Sequence, residues 1–200
     1  LITSEITVLA FGGRRPPRPL AALPMRRVED ATGIDEAVAG ARRVVVLGGD
    51  ADLAAVLTRL IRAELLDTEV AHIRGRWTAR RAIRAGAQRV PLIRDDTGTA
   101  LVGAAVWLPP EHRMRIRGEA VVDDAVLFDG EVAGVRIEPT STMPGLRAAV
   151  LDGGRRRWIS GRAVQLGTTG ARVVRDGVAG AREVKRSTFY RHTTGWMRVG

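Results

Sequence analysis

Apolar residues follow one rhythm up to about residue 88 and another beyond it. Val44, Val45, Val46 and Leu47 form an uninterrupted aliphatic run, the pattern of a strand covered on both faces of a parallel sheet. Directly after it Leu53, Val56, Leu57, Leu60 and Ile61 recur at helical spacing, so the period switches from strand to helix across Gly48, Gly49 and Asp50. Residues 6–11, 26–28 and 69–73 read as further strands, and residues 34–41, begun near Thr32, and 78–85 as further helices. Strands alternating with helices predict βαβ units. Right-handed crossovers then bring the loops after Phe11, Leu47 and Ile73 to the carboxyl edge of the sheet, where open α/β sheets take their ligands.

From residue 88 the helical period disappears. Residues 88–94 read as a strand, Asp95-Asp96-Thr97-Gly98 as a turn, and residues 99–108 as a longer strand stopped by Pro109-Pro110. Asp-Gly pairs follow at 129–130, 152–153 and 176–177 between Val-rich segments, and each is a hairpin signal. Val135-Arg136-Ile137-Glu138 alternates as a half-buried strand does. The expectation is α/β followed by all-β: a parallel α/β nucleotide-binding-like domain over residues 1–89 and an antiparallel β-sandwich over 90–200.

Composition narrows the chemistry. A hydrophobic content of 45% suits a globular chain with real cores. No apolar run approaches the ~18 residues of a membrane span and no leader pattern is visible, so the expected setting is cytoplasmic with no transmembrane segment. Without cysteine there is no thiolate zinc site, and His72, His112 and His192 are far apart. Glu111-His112 lacks the His-Glu-x-x-His frame of a zinc protease, so zinc is not expected.

The net charge of +10 raises a nucleic-acid reading. Its distribution argues against one: fifteen basic against ten acidic residues up to position 90, and seventeen against twelve beyond it, with Lys185 the sole lysine. No basic tail, zinc-finger spacing or RNA-binding aromatic motif accompanies the charge. A diffuse positive surface would still attract anionic small molecules, lipid headgroups or a membrane surface in a salt-dependent way.

A strand, a glycine turn and a helix N-terminus make an anion site, because unpaired N–H groups and the helix dipole point at one spot. The same three residues, Gly48, Gly49 and Asp50, also suit an ordinary strand-to-helix turn with an Asp cap. They resemble the Gly-Gly-Asp-Gly-Thr motif of the diacylglycerol kinase catalytic domain, within the superfamily that includes NAD kinases and sphingosine kinases. The resemblance implies the two-domain architecture expected above, with ATP phosphates on Gly48 and Gly49 and Asp50 at nucleotide or magnesium; Asp52, where the family has a hydroxyl residue, adds negative charge against phosphate and is a second candidate Mg2+ ligand on that charge alone. It also places a nucleotide loop at Gly12, where Arg14-Arg15-Pro16-Pro17-Arg18-Pro19 departs from the family, and carries Gly75 over from a Gly-Thr-x-Asn-Asp-Phe-Ala segment. Ala51 and Asp52 stand where the family has Gly and Thr, and Ala54-Ala55 replaces its Asn-Glu.

Arg76, Arg80 and Arg81 follow Gly75, and such a cluster beside a phosphate loop suits anion binding as well as a solvated helix face. The family's terminal Asp-Gly-Glu appears as Asp129-Gly130-Glu131, too early, and as Asp176-Gly177-Val178, without the second carboxylate; no catalytic base is assigned. Lys185, Arg186 and Arg191 offer a phosphate clamp near the end of the chain, whereas alternation puts Ser187 on the opposite face from Tyr190 and His192, out of reach for a Ser-His pair. Two principal readings stand: a non-catalytic kinase-like relative that binds an anionic ligand, lipid headgroup or partner, and an active ATP-dependent lipid kinase. A nucleic-acid module is a weaker third.

Overall fold

The structure is a computed structural model that describes residues 5–73, 78–154 and 156–200. The chain divides into two units, one of residues up to Val90 together with Thr194–Gly200, the other Pro91–Thr193.

In the first unit β1 (Ile6–Ala10), β2 (Met25–Arg27), α1 (Ala31–Val38), β3 (Arg43–Leu47), α2 (Asp50–Arg62), β4 (Glu69–Ile73), α3 (Ala79–Arg84) and β5 (Ala87–Val90) follow in order. β2, β1, β3 and β4 lie side by side and parallel. β3 is buried at every position, as its unbroken aliphatic run predicts. Helix α2 buries Leu53, Val56, Leu57 and Leu60 and leaves Ile61 half-exposed. Asp30 caps α1, its carboxylate accepting from the Gly33 N–H at 2.9 Å.

Arg43, 4% exposed, ties the sheet to α3. Its guanidinium donates to the carbonyls of Ala82, Ile83 and Ala85, filling acceptors that a helix C-terminus leaves open, and to Glu69 Oε2 at 2.6 Å. The second domain was expected to run to residue 200, but residues 194–200 belong to the first unit. The last strand is Trp196–Val199, hydrogen-bonded parallel to β4 and antiparallel to β5 within the first sheet. Its Trp196 and Val199 are buried there, a non-local pairing that no local pattern reveals.

The second unit is antiparallel throughout its described pairings: β6 (Ile93–Asp95), β7 (Ala100–Leu101), β8 (Ala105–Leu108), β9 (Ile116–Val122), β10 (Ala125–Val132), β11 (Val135–Pro139), β12 (Leu146–Val150), β13 (Ile159–Gly161), β14 (Ala163–Arg175), β15 (Val178–Ala179) and β16 (Val184–Arg191). The long β14 pairs with β9 and β16 through its first half and with β8 and β15 through its second, its register with β16 shifting between Gly167 and Ala171. One core serves both halves, centred on Trp107 and Phe189, whose ring centroids are 6.2 Å apart. Trp107 Nε1 donates to the buried Ser187 Oγ at 3.0 Å, so Ser187 faces the core.

The Asp-Gly signals fare unequally. Asp176 and Gly177, both left-handed (φ 48° and 84°), close a two-residue hairpin between β14 and β15. Asp152-Gly153 lies in the connection from β12 to β13. Asp129-Gly130, in contrast, lies inside β10, opposite Glu119 and Gly118, and the β9–β10 hairpin turns at Asp123-Asp124. Asp123 holds that turn by accepting the backbone N–H groups of Arg162 and Ala163. The stretches 88–94 and 99–108, expected as single strands, are each two. Pro91 interrupts the first, and residues 102–104 interrupt the second because their N–H groups turn to the Asp176 carboxylate.

Candidate functional site

Strand register assembles the carboxyl edge of the first sheet. Ala10, Leu47 and Ile73 are paired partners across β1, β3 and β4, so the three connections leave from one line. After Ala10 the chain passes Phe11 into Gly12 and Gly13, both left-handed and exposed, with open space where a Cβ would stand. Gly75 and Arg76, expected to follow Ile73 as nucleotide and anion ligands, lie outside the described residues.

At the central connection Gly49 is the N-cap of α2 and Asp50 its first helical residue. The capping carboxylate is that of Asp52, which reaches back from the third helical position to accept the Gly49 N–H at 2.7 Å. An ordinary Asp-capped turn would put Asp50 in this role. Gly48 is glycine because of the same side chain, since a Cβ there would lie 2.5 Å from Asp52 Oδ2 and 2.7 Å from Asp52 Cβ. The space that a glycine turn leaves open for an incoming anion is thus filled by a carboxylate of the chain itself. Ala51 sits within the first turn of α2, where its backbone is helical and its Cβ causes no strain.

His72 joins this turn. Paired with Val46 across β3 and β4, its ring Nε2 lies 3.1 Å from the Gly48 carbonyl and its Nδ1 3.9 Å from Asp50 Oδ1. Its separation from the other histidines had made it look uninformative, and only the parallel register brings it to the glycine turn. Among the described residues no group of three or more His, Asp or Glu side chains is arranged to hold a metal ion.

Arg80 and Arg81 are exposed on the short helix α3. Behind the turn, Arg59 of α2 clasps Asp35 of α1 through two hydrogen bonds, and these hold the Asp35 carboxyl below its ordinary value and raise the Arg59 guanidinium above its own. In the second unit Asp176 accepts the N–H groups of Val102, Gly103 and Ala104 at 3.1, 2.6 and 3.1 Å, so its carboxylate is occupied in shaping a loop. Asp129 and Glu131 are exposed on β10. Lys185 and Arg186 are exposed on β16, and Arg191 at its end donates to the Pro144 carbonyl.

The parallel α/β unit with its glycine turn, and the antiparallel unit, together make a diacylglycerol kinase/NAD kinase-like fold. Two solved structures from Bacillus anthracis str. Sterne, one described as a putative diacylglycerol kinase and one as a diacylglycerol kinase, superpose on the whole chain, with TM-scores of 0.79 and 0.75, 10% identity in each case, and 98% and 97% of their own chains covered. An NAD kinase from Archaeoglobus fulgidus in complex with ATP matches over 98% of this chain and 93% of its own, at a TM-score of 0.66 and 12% identity. No protein-family model matches the sequence, and no curated protein matches it. No described helix is long and apolar enough to cross a membrane.

Proposed function

We propose that this chain is a non-catalytic member of the kinase fold, a scaffold that binds an anionic ligand, lipid headgroup or partner and does not transfer phosphate from ATP. The observation that carries this reading is the Asp52 carboxylate seated on the Gly49 N–H and packed over Gly48. A nucleotide phosphate at this turn must either displace Asp52 or lie beside it. At ~4 Å and an effective dielectric of ~20, two unit negative charges repel by ~4 kcal/mol, about a thousandfold in affinity. Displacement instead gives up the N-terminal cap. The residues present therefore do not fit a triphosphate and its Mg2+ in the way the resemblance implies, with Gly48, Gly49, Asp50 and Gly12 as nucleotide contacts and Asp50 at the metal, nor does Asp52, engaged as a cap, serve as the second metal ligand its charge suggested.

Calorimetric titration of ATP with and without Mg2+ tests this. The unaltered protein is expected to show no binding in the micromolar range, and the Ala51→Gly/Asp52→Thr variant to gain it. Micromolar binding by the unaltered protein, or phosphoryl transfer to a lipid hydroxyl that Asp50→Ala abolishes, overturns the proposal in favour of an active lipid kinase.

A further inference from the structure

We propose that the antiparallel unit carries a pocket for a phosphate monoester at the end of β16, where Arg162, Tyr190 and His192 line one cavity of about 270 Å³. This rests on the anion-binding half of the function proposed above and gives it a place. The cavity falls just below the ~300 Å³ at which pockets for drug-sized ligands begin, which suits a headgroup-sized anion.

Two arginines, Arg162 and Arg191, line it together with the carboxylate of Asp123. Ala163 pairs with Tyr190, and Arg162, in the bend just before β14, accepts the Arg191 N–H on its carbonyl at 2.7 Å, so both arginines border the cavity. Like charges lining one cavity repel, and a bound anion relieves that repulsion. The Arg191 guanidinium is held by the Pro144 carbonyl at 2.8 Å, whereas that of Arg162 makes no hydrogen bond or ion pair among the described residues. Arg94 is the β6 partner of Tyr190, lies 5.1 Å from its ring centroid, and keeps a buried Nε with no partner.

Asp123 is the one carboxylate lining the cavity, and its oxygens are engaged by the N–H groups of Arg162 and Ala163. The Tyr190 hydroxyl and the His192 ring likewise have no hydrogen-bond partner among the described residues. Burial, and then the charge of Arg94, hold His192 below its ordinary pKa, so near neutrality it offers a neutral ring N–H. A guanidinium, a phenol and an imidazole lining one cavity offer several donors at once, which suits the many acceptor oxygens of a phosphate monoester.

The test uses the full chain with three probes: inorganic phosphate, glycerol 3-phosphate, and phosphatidylcholine vesicles with or without phosphatidic acid. At matched ionic strength, at least one phosphate-bearing probe is expected to bind. Arg162→Ala should weaken it tenfold or more and Tyr190→Phe severalfold, while Arg117→Ala, which removes an exposed arginine elsewhere on the same unit, leaves it unchanged. Binding of the soluble probes identifies a free phosphate ester as the ligand. Binding confined to phosphatidic acid vesicles identifies a lipid headgroup. Equal losses in Arg162→Ala and Arg117→Ala would mean diffuse charge and overturn the pocket, as would no binding of any probe. Ala51→Gly/Asp52→Thr is expected to leave this binding intact, so failure of the pocket and failure of the non-catalytic reading are separately visible.

Discussion

Replacing Asp52 by Ala removes the one side chain that caps the N-terminus of α2. The Gly49 N–H loses its acceptor at 2.7 Å, and the first turn loses a negative charge that complements the helix dipole, while Asp50 remains. Loss of a cap costs ~1 kcal/mol and the dipole contribution at a partly exposed position ~0.3–1 kcal/mol, for a total of about 1–2 kcal/mol. In urea this moves the unfolding midpoint of the first unit down by on the order of 0.5–1 M. The freed N–H groups of α2 then face the carboxyl edge with nothing negative on them. Millimolar pyrophosphate, against NaCl of equal ionic strength, should therefore restore stability in Asp52→Ala, by about 1.4 kcal/mol at ten times its Kd, and do less for the unaltered protein. Urea titrations followed by hydrogen exchange on α2 peptides report both quantities. An unchanged midpoint in Asp52→Ala, or equal stabilisation of both proteins by pyrophosphate, would refute the view that Asp52 acts as a built-in anion at this turn.

Three further outcomes are expected. Arg43→Met should destabilise the first unit by about 3 kcal/mol, since three carbonyls and Glu69 lose a buried partner; hydrogen exchange in α3 no faster than in the parent would contradict this. Asp176→Ala should cost about 2 kcal/mol by stripping acceptors from three N–H groups, with Asp176→Asn recovering part of it; matching urea midpoints for Ala and the parent would count against that role. The folded-state pKa of His192 is depressed, so its neutral form is retained in the fold while the unfolded chain takes up a proton; stability is complete above the ordinary pKa of 6.5 and declines as pH falls through the folded value. Burial and then the charge of Arg94 oppose protonation there, and Arg162, Arg191 and Asp123 are the other charged groups around the ring. His192→Gln should flatten the pH dependence of the midpoint below the ordinary histidine value of about 6.5, and an unaltered slope would exclude His192 as its source.

Local pattern carried much of this fold. The aliphatic run of β3, the helical spacing of α2 and the loss of helical period near residue 88 each report a periodicity that burial imposes on adjacent residues, and the α/β-then-β order follows from them. The left-handed hairpin at Asp176-Gly177 was legible for a similar reason, since its conformation is settled within the turn itself. The same two letters at 129–130 misled, because Gly130 pairs opposite Gly118 in a strand and the turn is fixed six residues earlier by the backbone partners of Asp123. The last strand, Trp196–Val199, reads like any other short strand; its place between β4 and β5 depends on partners more than a hundred residues away.

The candidate site divides in the same way. Gly48, Gly49 and Asp50 were legible as a strand-to-helix turn, and the charge of Asp52 already told against phosphate. That this carboxylate folds back onto Gly49, that His72 reaches Gly48, and that Arg162, Tyr190 and His192 line one cavity were decided by helix capping geometry and strand pairing. A pattern of residue types records which face of an element is covered. It does not record which distant side chain fills the space above a glycine, because that depends on close packing among elements whose order in space the chain reaches only on folding.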